Sequence, residues 1–121
     1  MNSLQLSEAL QSMAAMDGME GCALVDAETG MAWQSAGHIE HVALVAEAAS
    51  DYWRLYQRSR QHFQHLGALR AQVLMHAGGR ITIVACGPGT LLVLLTPDQD
   101  RLDWQAWKDK TKALQALVAG F

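Results

Sequence analysis

The hydrophobic positions of this chain fall into blocks with two different periods. From about His38 to Leu66 there is no Gly or Pro, and residues 42–49 and 51–56 suit a helix, so one long helix is predicted there. At about 100° per residue, Glu47, Ser50, Asp51, Arg54, Gln57, Arg58, Gln61 and His65 share one side. Val42, Val45, Ala49, Tyr52, Trp53, Tyr56 and Phe63 form an apolar stripe, and Leu44, Ala48 and Leu55 flank it. Together they cover roughly half the circumference, where a helix burying one face needs an arc of roughly 100°. A sheet offers a helix one surface, so the excess predicts a second surface, most simply supplied by another protein chain.

The remaining blocks are shorter. Ser3 to about Met16 reads as a first helix, with Ser3 placed to cap it and Leu6, Leu10 and Met13 at helical spacing. Asp17-Gly18 ends it. Met19 to Asp26 holds the apolar run Cys22-Ala23-Leu24-Val25, suited to a buried strand. Ala27-Glu28-Thr29-Gly30 then turns the chain into a returning strand, Met31-Ala32-Trp33-Gln34-Ser35. After Gly67, which stops the long helix, Leu69 to His76 alternates. Leu69, Ala71, Val73 and Met75 point one way and Arg70, Gln72, Leu74 and His76 the other, the pattern of an edge strand with one wetter face.

Ala77-Gly78-Gly79 and Gly87-Pro88-Gly89 are turns on either side of a strand from Arg80 to Cys86. The next strand, Thr90 to Thr96, is apolar at every inner position and is therefore central, covered on both faces. Helices must then lie on both sides of the sheet. Pro97 ends that strand, Asp98 or Asp100 caps a final helix, and Asp103 lies where the helix dipole favours a carboxylate. Trp104, Trp107, Thr111, Leu114, Val118 and Phe121 mark its buried stripe. The order helix, two strands, long helix, three strands, helix predicts one α/β (α+β) layer domain over residues 1–121.

Composition strengthens the expectation of a partner. Half the residues are hydrophobic and 17% are charged, against about 25% charged in ordinary soluble domains. So few charges leave apolar surface to be covered by something. The net charge is -3, with Lys and Arg scattered, which disfavours nucleic acid and anionic membrane as partners. Two cysteines are too few for a disulfide framework. The first residues lack the basic start and apolar run of a signal peptide, and no stretch reaches the roughly 18 to 20 apolar residues of a membrane span. A reduced, cytoplasmic protein is the expectation.

The residue types that carry chemistry are better explained structurally. His38 with His41, and His62 with His65, sit at i, i+3, but a metal site needs a third ligand and supporting partners, and neither pair has them in sequence. Cys22 and Cys86 fall on the first and fourth strands, about 9 to 10 Å apart if the fifth lies between, too far for a disulfide. Buried small hydrophobes is their reading. Gly87-Pro88-Gly89-Thr90 lacks the spacing and Lys of a phosphate loop. Asp26, Glu28, Asp98, Asp100 and Asp103 read as turn and cap residues, and no Ser/His/Asp set has a nucleophile elbow. No catalytic, cofactor or metal site is predicted. Tyr52, Trp53 and Tyr56 stand apart, because aromatics on an overwide arc suit the centre of an interface.

The arrangement resembles the Roadblock family of dynein light chains and bacterial regulators of Ras-like GTPases. The residues that carry the resemblance are Gly18-Met19-Glu20-Gly21-Cys22-Ala23-Leu24-Val25-Asp26 with Gly30, then Leu66-Gly67 into the third strand, then Leu91-Leu92-Val93-Leu94-Leu95. The resemblance implies a profilin-like sandwich: a five-stranded antiparallel sheet of order 2-1-5-4-3, the long helix on one face and both terminal helices on the other. It also implies a homodimer through the long helix and third strand. On this sequence that interface maps to Tyr52, Trp53, Leu55 and Tyr56 with Arg70, Gln72, Leu74 and His76. The function expected is a non-enzymatic regulatory or scaffold domain for a small Ras-like GTPase or a larger assembly, with no cofactor. The alternative is a profilin-like small-molecule sensor, whose pocket between sheet and long helix would be lined by residues such as Trp33, Met75 and Tyr56.

Overall fold

The computed structural model describes residues 3–120. Its elements are α1 (Ser3–Ala14), β1 (Gly21–Asp26), β2 (Ala32–Gly37), α2 (Val42–Arg58), a 3₁₀ helix (Arg60–Leu66), β3 (Ala71–His76), β4 (Gly79–Ala85), β5 (Thr90–Pro97) and α3 (Trp104–Ala119). The strands form one antiparallel sheet in the order β2-β1-β5-β4-β3, as the resemblance implies. α2 covers one face, and α1 with α3 covers the other.

The central strand explains the layering. Successive side chains of β5 point to opposite faces, so Leu92 and Leu94 join Leu6, Leu10, Met13, Trp107 and Leu114 beneath α1 and α3. Leu91, Val93 and Leu95 join Ala46, Ala49 and Trp53 beneath α2. Every residue of β5 but Pro97 is buried, and each fully buried Leu or Val contributes about 1.5 to 3 kcal/mol. Glycines set two of the approaches. Gly18, at φ 87°, brings the end of α1 against the Leu102 backbone, where a Cβ would lie 2.9 Å from the Leu102 nitrogen. Gly30, at φ 79°, lets the β1–β2 turn sit under the Arg54 guanidinium of α2.

Several expectations are corrected. The stretch from His38 to Leu66 is two pieces. α2 begins at Val42 because His41 takes a left-handed conformation (φ 62°), and it ends at Arg58, where the Ser59 N–H bonds back to the preceding carbonyls and the 3₁₀ helix takes over. His38 and His41 therefore precede the helix. Ser50 is buried rather than on the polar side, its hydroxyl donating to the Glu47 carbonyl at 2.7 Å and accepting from Arg54 at 3.0 Å. β2 runs two residues further than expected and β3 starts two residues later. Asp103, not Asp98 or Asp100, caps α3, accepting from the Gln105 and Ala106 N–H groups at 3.1 Å. Asp100 instead receives the Trp104 indole N–H at 2.9 Å. α1 begins at Ser3 itself, so the residue before it lies outside the described residues, as does Phe121 of the expected α3 stripe.

Candidate oligomer interface

α2 presents different surroundings to each side. Val42, Ala46, Ala49, Ser50 and Trp53 face the sheet and are buried. Leu44, Ala48, Tyr52 and Leu55 lie outside, with Tyr52 53% and Leu55 56% exposed. Of the aromatic cluster expected at an interface, Trp53 is turned inward and 6% exposed, packed with Ile83, Leu91 and Val93. Tyr56 is half-buried and stacks on Phe63, ring centroids 4.6 Å apart.

α2 sits over β1, β2 and β5, with a smaller contact to β4, and its outer side meets the edge strand β3 at the Gln72–Tyr52 hydrogen bond. An open groove of about 410 Å³ runs between them, walled by Tyr52, Leu55 and Tyr56 and floored by Gln72 and Leu74. The Gln72 amide donates to the Tyr52 carbonyl at 3.2 Å, while its buried Oε1 meets no donor among the described residues. His76 is exposed at the hairpin turn, and Arg70 precedes β3 with its carbonyl accepting from the Ala85 N–H at 3.4 Å. The other face of β3 carries Val73 and Met75, 52% and 74% exposed. The sequence does not place these two at an interface. Alternation with apolar neighbours reads as an inward face, and nothing in the local pattern says that α1 and α3 stop short of β3.

The two sheet edges differ. At β2 the register breaks between Leu24 and Val25, with Trp33 the extra residue, and such bulges discourage strand addition. β3 pairs with β4 in unbroken register from Ala71↔Val84 to His76↔Gly79. The two-residue turn makes His76 and Gly79 a hydrogen-bonded pair, and the bond from Ala85 to Arg70 fits the same alternation. Gln72, Leu74 and His76 thus spend their backbone groups on β4, and those of Ala71, Val73 and Met75 point outward. A flat edge with Val and Met, and no Pro, bulge or inward charge, invites a further strand.

The other predicted features lie apart from this face. Cys22 and Cys86 are buried, unbridged and separated by β5, and burial pushes their thiols up to about 12 and about 11. Among the described residues, no three His, Cys, Asp or Glu side chains are grouped to hold a metal ion, and no helix is long and apolar enough to cross a membrane. The lining suggested for a sensor pocket does not assemble. Trp33 and Met75 sit on the two opposite edge strands, and the space between α2 and the sheet is filled by Val25, Ile83, Val93 and Trp53.

No family model matches the sequence, and no curated protein matches it. Solved structures do. A Roadblock/LC7 domain from Streptomyces avermitilis is 17% identical, with a TM-score of 0.75 over 93% of this chain and 92% of that one. The gliding protein MglB from Thermus thermophilus is 15% identical, with a TM-score of 0.72 over 96% of this chain and 87% of that one. An MglB with a tetrameric arrangement is 15% identical, with a TM-score of 0.73 over 96% and 86%. At these identities the likeness concerns architecture alone: this chain has the Roadblock/LC7 fold.

Proposed function

We propose that this protein is a non-enzymatic regulatory or scaffold domain that works as a homodimer joined through α2 and β3 and engages a Ras-like small GTPase or a larger assembly. The observation that carries the reading is the exposed apolar face of α2 lying beside an unprotected edge strand. A two-fold axis passing through Val73 pairs Ala71 with Met75 of the second copy and uses the outward backbone groups of all three residues. The two sheets become one, and Gln72 lies opposite Leu74 of the second copy. The GTPase is suggested by the resemblance to bacterial GTPase regulators, and assembly by the tetrameric MglB of the same fold. A regulator of this kind supplies no catalytic group; it shifts the partner's switch loops toward one conformation.

Engineered cysteines test the pairing. Val73 lies on the axis, within the Cα separation of 4.4 to 6.8 Å that a disulfide spans, so Val73→Cys should cross-link two chains under mild oxidation. Leu74→Cys lies off the axis and should not. The reverse result, or no cross-link for either, overturns this interface. For the partner, the host's Ras-like GTPases loaded with GTP or GDP are titrated against the protein. Binding that depends on the nucleotide is expected for at least one, and its absence for all would leave only the scaffold role.

A further inference from the structure

The 3₁₀ helix after α2 is at odds with its own sequence. Runs beyond three or four residues are uncommon, because side chains eclipse and the hydrogen bonds are poorer, yet this one spans seven. No Gly or Pro in it forbids an α-helix. It buries no residue: Leu66 is 67% exposed, and a hollow of about 420 Å³ opens between the segment and Gly67, Ala68 and Leu69. It is tied to α2 by the Phe63 ring stacked on Tyr56, planes 15° apart, and by the Arg60 guanidinium donating to the Gln57 carbonyl at 3.1 Å.

Carrying the α-helical step of about 100° through the break puts Ser59, Phe63 and Leu66 in line with Leu44, Ala48, Tyr52 and Leu55. The spacing is four, four, three and then four, four, three again. All seven positions fall within an arc of about 100°, on the face of α2 that its own sheet leaves bare. In the 3₁₀ form the stripe stops at Arg58, the end of α2.

We propose that residues 59–66 become the last two turns of α2 when a second copy docks, laying Phe63 and Leu66 against that copy. This rests on the dimer proposed above. The occupant is a second copy because the lengthened stripe is continuous with the α2 face beside the β3 edge, and a two-fold contact buries the same stripe on both chains. The change gives up the Tyr56–Phe63 stack, since residues seven apart lie about 10 Å apart along an α-helix. It also draws the end of the segment back by about 4 Å, from the rises of about 2.0 and 1.5 Å per residue. Gly67 and Ala68 absorb this: both are exposed, and nothing lies within 4 Å of where a Gly67 Cβ would be. In a lone protomer the extended form would leave Phe63 in water, so the ring folds back onto Tyr56.

The test is NMR of the isotope-labelled full chain below and above the dimerisation concentration. In the dimer, Hα(i)–HN(i+4) contacts should replace Hα(i)–HN(i+2) contacts over residues 60–66, and the Tyr56–Phe63 ring contact should vanish. Leu66→Ser should leave the protomer's spectrum and melting unchanged and weaken the dimer about tenfold. A dimer that keeps the i+2 contacts and the stacked rings, or one indifferent to Leu66→Ser, overturns the proposal and leaves the dimer standing. A chain that stays monomeric throughout overturns both.

Discussion

Tyr52 and Trp53 are neighbours in the chain and meet opposite surroundings. One step of about 100° separates a ring wedged against Ile83 and Val93 from one in solvent. Trp53→Ala should cost about 3 to 5 kcal/mol of stability, the range for emptying a large core site. Tyr52→Ala should stay within about 0.5 kcal/mol in the monomer, because its side chain lies outside the core, 53% exposed, and the bond to Gln72 uses its backbone carbonyl. Urea unfolding of dilute protein compares the two, and equal losses would contradict the assigned orientations. Asp26 gives a pH-dependent case. Its carboxylate accepts from the Thr29 and Glu28 N–H groups, which hold its pKa below the ordinary value. A lowered folded pKa means stabilisation present above the unfolded pKa and lost as pH falls through the folded one. Asp26→Asn should therefore be destabilised at neutral pH by a gap that closes in acid, and a gap constant with pH would refute the assignment.

Among the elements, β5 was fully legible in the sequence, because an unbroken apolar run bounded by turns can only be covered on both faces. The excess width of the apolar arc on α2 was legible too. Which aromatic turned inward was not, since periodicity gives the angles between side chains but not where the sheet lies beneath them. The end of α2 was hidden for a related reason: propensity does not separate an α-helix from a 3₁₀ helix in residues 59–66. On β3 the exposure of Val73 and Met75 depends on how far α1 and α3 reach, which alternation cannot report. The division of α2 into a buried and a bare face makes a direct prediction. Leu55→Asp should leave the protomer's melting temperature unchanged and weaken self-association at least tenfold, read by sedimentation over a concentration series. Unchanged association would remove α2 from the interface.

For the molecule as a whole, low identity with the same architecture means that the pattern of apolar runs, turns and lengths defines the fold, more than individual side chains do. This is why the order of elements pointed to the sheet order observed. This chain has one edge blunted by a bulge and the other in unbroken register, so the proposed self-pairing would use β3 of both copies and close at two. Mass in solution, by size-exclusion chromatography with light scattering at tens of micromolar, is the most direct check. A species of twice 13.2 kDa is the result expected; one that stays at 13.2 kDa at every concentration would contradict the account.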